Sequence, residues 1–244
     1  MLKSSAKKMG RLAAPFGSNH FLGVFIMVIF LVFVAPSLER YSGFRWLMDV
    51  ALGGVLVLTI LSLANQRLVA LTGVVLAALG YSSRLVVLAN GNPVFLACTN
   101  AALVLFFLLT SLVIFRYVLQ SKRVTANTIW AALCVYIFMG LLWSFAYTIL
   151  MHLNPGSFLA PDELLLGGSQ LSVSDFIYYS FITLTTVGYG DITPVSEAAR
   201  SLSSFEAVAG QIYLTVLVAR LVGMHISYAR DEREPAASGP RGEA

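Results

Sequence analysis

Thr183-Leu184-Thr185-Thr186-Val187-Gly188-Tyr189-Gly190-Asp191 decides how this sequence is read, because it sets two glycines and no helical pattern between two segments apolar enough to enter a lipid bilayer. On its N-terminal side, residues 173–185 form an apolar helix too short to cross a membrane, with Ser172 and Asp175 spaced as a capping box at its start. On its C-terminal side an apolar run from about Glu197 to Tyr228 is long enough to cross. Non-helical backbone at membrane depth is tolerated only where it is buried in protein or lines a water-filled path. The short helix therefore reads as a re-entrant half-helix, and the loop after it as the lining of such a path.

The rest of the chain agrees with a bilayer setting. Of 244 residues, 58% are hydrophobic and 11% charged, and the mean hydropathy is +0.81, far from a soluble balance. The net charge of +4 comes from Lys and Arg scattered among short polar breaks, with no basic stripe interleaved with aromatics, so a nucleic-acid partner is excluded. Cys98 and Cys134 each fall inside an apolar run and read as small buried hydrophobes. Apolar runs at about 20–36, 44–64, 68–90, 94–119, 127–152 and 197–228 give six spans, with short polar or turn-rich breaks such as Asn90-Gly91-Asn92-Pro93 between them. The first run, preceded by Lys3, Lys7, Lys8 and Arg11, also has the layout of a signal peptide, but its length and the spans that follow favour a membrane helix. With six spans the termini share a side. Eleven Lys and Arg, among them Lys7, Arg67, Lys122 and Arg230, fall on that side, against Arg40, Arg45 and Arg200 on the other, which places both termini in the cytoplasm of a multi-pass cell-membrane protein. The fold class expected is all-α.

The nine residues 183–191 resemble the signature of the potassium channel family without a break. The resemblance implies a homotetrameric pore with K+ held at Thr186, Val187, Gly188 and Tyr189 in a selectivity filter that runs to Gly190. It is strong over about 125–228 and weak before that. The residue types suit the chemistry: a permeating ion exchanges its water for oxygen ligands, backbone carbonyls supply them, and the Thr186 hydroxyl adds the innermost ring. Glycines at 188 and 190 permit the positive φ that aiming successive carbonyls at one axis requires. One strand supplies one ligand per level, so a cage needs four chains. The negative C-terminal end of the half-helix would favour cations in a central cavity. Tyr189 is expected to point into an aromatic cuff of Tyr178, Tyr179 and Phe181. By the resemblance, Asp191 faces Tyr178, whose phenol can donate to it; together with Thr185 these support the filter. The position of a second, acidic partner found in some bacterial relatives is Ile182 here.

In the last span, Gly210 falls where the family's inner helices commonly carry a flexible glycine; it reads equally as a gating hinge or as a small residue for close packing. Glu206 is a carboxylate inside a membrane helix and needs a partner. It is expected near the base of the half-helix, bonded to backbone or a threonine, as filter support; a pore-lining carboxylate ring is the alternative. Arg220 is expected to snorkel to lipid phosphate rather than face the axis.

The fourth span, from Val94 to Phe115, has no basic residue, so it cannot supply the several gating charges that steep voltage dependence needs at about 2.3 kcal/mol per charge per 100 mV. Asp49 and Arg84 lie at similar depths in neighbouring spans and are expected to form a structural ion pair, the alternative being a polar ligand pocket. The organisation expected is an N-terminal cytoplasmic segment (1–19), a voltage-sensor-like four-helix domain without gating charges (20–124), a pore domain (125–229) and a disordered cytoplasmic tail (230–244) too short for a ligand-binding domain. The function expected is passive potassium conduction. No reaction is catalysed and no cofactor is needed, K+ being the permeant ion, with lipid as surroundings and a separate regulatory partner left open. A weakly selective cation channel is the nearer rival, against which Tyr189 argues. A potassium uptake transporter subunit is the other, against which the single intact filter argues.

Overall fold

The computed structural model describes residues 20–39, 46–63, 71–76, 78, 93–121, 124–161 and 171–231. The protein is mostly helical and embedded in a membrane. Four helical stretches among the described residues are long and apolar enough to cross a bilayer: Phe21–Leu38, Leu96–Gln120, Ala126–Leu153 and Glu197–Arg220. In chain order the elements are α1 (His20–Ile29), a π-helical turn (Phe30–Val34), α2 (Ala35–Glu39), α3 (Trp46–Ser62), α4 (Pro93–Gln120), α5 (Ala126–Leu153), β1 (Phe158–Leu159), α6 (Val173–Leu184), β2 (Thr193–Pro194) and α7 (Glu197–Asp231). α3, with 17 residues, is about 26 Å long at 1.5 Å per residue, slightly short of the hydrocarbon thickness. The span expected over 68–90 lies mostly outside the described residues, Arg84 with it.

The first run does not stop at Pro36, as its sequence suggested, but continues helically to Glu39. The π turn just before the proline explains this. The Ala35 N–H donates to Phe30 O, five residues back, and the widened turn makes room for the Pro36 ring, which would crowd the Val32 carbonyl in a regular helix.

α5 is the element on which α1, α4, α6 and α7 pack, whereas α3 packs on α1, the π turn and α2. From α4, Phe107 stacks on Phe145 with ring centroids 5.9 Å apart and meets Phe138 edge-on at 5.2 Å. From α1, Phe25 lies 5.0 Å from Trp130, and the Phe21 N–H donates to Asn127 Oδ1 at 3.2 Å. Two hydroxyls inside these apolar helices bond to the carbonyl four residues back, Thr110 to Phe106 and Ser144 to Gly140, both at 2.7 Å, so that neither proton is left bare in the apolar interior. Cys134 is buried as expected, whereas Cys98 is exposed on the surface of α4. A second aromatic cluster of Tyr147, Phe158, Phe176 and Tyr179 ties α5 to β1 and α6.

Candidate functional site

The short helix α6 starts where its cap predicts. Ser172 Oγ accepts from the Asp175 N–H at 3.3 Å and the Asp175 carboxylate accepts from the Ser172 N–H at 2.8 Å, so two donors that a helix start leaves bare are satisfied reciprocally. After Leu184 the backbone leaves helical geometry. The N–H of Thr186 donates to Thr183 O at 2.9 Å, and those of Val187 and Gly188 both donate to Ile182 O, at 2.9 and 3.3 Å. The loop's amides are thereby folded back onto the C-terminal carbonyls of α6.

The sign of φ alternates along the same loop: +60° at Thr186, +56° at Gly188 and +78° at Gly190, with no positive φ at Val187 or Tyr189. The amides of Thr186, Val187 and Gly188 are thus engaged by α6 while the backbone changes hand at every second residue. A Cβ at Gly188 or Gly190 would meet nothing within 4 Å. Backbone conformation, not space, is what requires glycine there. The left-handed Thr186 was not foreseen, since it is not a glycine and is flanked by Thr185 and Val187; such a residue costs about 1–3 kcal/mol and persists where its surroundings over-determine it. Its hydroxyl donates to Thr185 O at 2.7 Å, which leaves the oxygen lone pairs open to a cation.

The segment after the loop is held at two points. The Tyr178 phenol donates to Asp191 Oδ2 at 2.6 Å, while Asp191 Oδ1 accepts from the Ile192 N–H at 2.9 Å. Desolvation, and then the bond to Asp191, push the Tyr178 phenol up to about 12, so it remains a donor. Beyond it, β2 pairs antiparallel with β1, Pro194 opposite Phe158, and Ser157 O accepts from the Val195 N–H at 2.8 Å.

The aromatic cuff does not form within one chain. Tyr189 is 71% exposed. Tyr179 instead packs against Tyr147 and Phe158 and shares a 2.7 Å hydrogen bond with Ser203, whereas the Phe181 ring lies against Gly140. Both rings are drawn toward α5 and α7 because that side of α6 is its buried face.

Glu206 is fully buried within the single chain, which removes it from any pore-lining ring. Its partners are neither backbone nor threonine: the Tyr147 phenol donates to Oε2 at 2.5 Å, and the Ser180 hydroxyl is hydrogen-bonded to Oε1. Reading the sequence missed both partners. The one signal available was a tyrosine deep in an apolar helix, whose hydroxyl needs a partner when buried. Gly210 lies in unbroken helix where α7 crosses the end of α6, and a Cβ there would meet both Leu184 O and Leu184 Cδ1 at 2.8 Å. The close crossing thus requires the missing side chain. Arg220 does not reach for lipid: its guanidinium donates to Leu119 O, and to Ser121 O at 3.1 Å, capping the C-terminal end of α4. Asp49 lies in α3, and its expected partner Arg84 is outside the described residues.

The family described as "Ion channel" matches over residues 149–226, which hold α6, the loop and most of α7. Protein LctB of Bacillus caldotenax is 34% identical over 122 residues, half of this chain and 89% of that protein. Two pore potassium channel c of Oryza sativa subsp. japonica is 34% identical over 80 residues, 33% of this chain and 16% of that protein. Potassium channel K1 of Plasmodium berghei (strain Anka) is 41% identical over 51 residues, 21% of this chain and 3% of that protein. No solved structure matches significantly. The matched region, the relatives so named and the filter signature agree: the chain belongs to the potassium channel family.

Proposed function

We propose that this channel conducts K+ selectively and passively as a homotetramer in the cell membrane, both termini cytoplasmic, with residues 125–229 as the pore domain and α6 as its re-entrant pore helix. The observation that carries the reading is the loop's alternation of handedness with its amides bonded back onto α6. That leaves the carbonyls of Thr186, Val187, Gly188 and Tyr189 as ligands on one side, and four such strands would enclose an ion. Thr185, Tyr178 and Asp191 support the filter in this reading. Exposed Phe205, Val208, Ile212 and Val216 on the face of α7 away from its own chain fit contact with neighbouring copies. Residues 20–124 form the voltage-sensor-like unit, and because α4 carries no basic residue before Arg116 near its end it does not gate by conventional voltage sensing. Gly210, besides its packing role, is the point at which α7 would bend on opening.

Gly188→Ala tests the filter assignment. Alanine in the left-handed region costs about 1–2 kcal/mol and pushes the backbone toward negative φ, turning a carbonyl out of line. The variant, reconstituted in liposomes, is expected to lose its preference for K+ over Na+ in flux assays; undiminished preference would remove these carbonyls as the selective ligands.

A further inference from the structure

Glu206 stands where three elements meet: its own helix α7, α5 through Tyr147 and Gly140, and α6 through Ser180. Three oxygen-to-oxygen contacts at hydrogen-bond distance run through it in series: Tyr147 Oη to Glu206 Oε2, Glu206 Oε1 to Ser180 Oγ, and Ser180 Oγ to Gly140 O at 2.8 Å. Each contact needs a proton between its oxygens, because two lone pairs at that distance repel. Tyr147 and Ser180 bring one each. The third can come only from Glu206 itself. The remaining ionisable groups facing the carboxyl are phenols, Tyr136 and Tyr147 of α5 and Tyr179 of α6, and no basic side chain among the described residues pairs with it. A buried carboxylate without a cation is costly, whereas a carboxylic acid that accepts once and donates once is fully satisfied.

We infer that Glu206 is held as the neutral acid and acts as a positioning residue, latching α6, and with it the loop at 185–190, to α5 and α7. Tyr147 donates to its carbonyl oxygen, its own O–H donates to Ser180, and Ser180 passes its proton to the Gly140 carbonyl. The contacts at Glu206 and at Gly210–Leu184 fix α6 to α7 at two separate levels. A shift of α7 that displaced Glu206 would break the series and free α6. This role rests on the proposal that α6 carries the filter.

The test compares variants of the full chain in proteoliposomes under a K+/Na+ gradient. Glu206→Gln keeps one acceptor for Tyr147 and one donor for Ser180, so its potassium preference is expected to match the unaltered chain. Glu206→Ala and Ser180→Ala are each expected to lower that preference by about tenfold or more, as the loss of a buried hydrogen-bond partner implies. Loss of preference in Glu206→Gln, or full preference in Glu206→Ala, would overturn the latch. An independent measurement covers the case in which Glu206→Ala does not fold: infrared difference spectra at neutral pH should show a protonated carboxyl stretch that Glu206→Gln removes, and its absence would overturn the neutral acid. Failure of the potassium reading itself would appear differently, as an unaltered chain that does not distinguish K+ from Na+.

Discussion

Tyr178 and Asp191 show how much one hydrogen bond in the right place can do. The bond is short, its donor is held in the protonated form, and the carboxylate is also fixed by the Ile192 N–H. Tyr178→Phe deletes the donor while keeping the ring. Because the pair is partly exposed, the thermodynamic loss is small, but the segment leaving the loop loses one of its two anchors. The expected outcome is faster decay of outward current with packing unchanged; decay identical to the unaltered chain would show that β1–β2 pairing alone restrains the loop. At this scale much was legible in advance. The capping box at Ser172 was readable from spacing, and the partnership of Tyr178 with Asp191 from the resemblance that the nine-residue signature carries. Tyr147 and Ser180 stand 59 and 26 positions from Glu206; only folding brings them together. Glu206 was recognisable as needing a partner, but the sequence could not name which. Thr186 had no signal at all, since its left-handed φ is imposed by the amide bonds around it.

Among the elements, the helix ends carry the lessons. α4 has no basic residue before Arg116, near its C-terminal end, and its C-terminal carbonyls are capped from α7 by Arg220. Snorkelling was the reading available from position alone, because a basic residue near a span's end ordinarily finds headgroups. The bare carbonyls of a helix ending against α7 are a nearer partner, and their alignment there is a tertiary fact. With the guanidinium so engaged, Arg220→Gln is expected to leave single-channel conductance unchanged; a sharp rise would mean that Arg220 faces the axis and had been repelling cations. The continuation of the first run past Pro36 belongs to the same class. Proline marks a break in sequence, yet the π turn upstream absorbs it.

For the molecule as a whole, α5 is the hub: α1 and α4 pack on its one side through Phe25 and Phe107, and α6 and α7 on the other through Tyr147 and Glu206. The bilayer setting and the family were readable because apolar length and a specific loop signature are local properties. The arrangement of the first helices was not, because nearly uniform apolarity gives a membrane helix no marked inward face. Loop residues 185–190 are exposed in the single chain, Val187 by 50% and Tyr189 by 71%, and the apolar outer face of α7 is bare; the proposed tetramer would cover both. The most direct measurement is the reversal potential of the purified protein in planar bilayers as the K+ gradient is varied against constant Na+. Conduction through four converging carbonyl strands predicts a reversal potential that follows the K+ equilibrium potential at every gradient; one that stays near zero would contradict selective conduction by this filter.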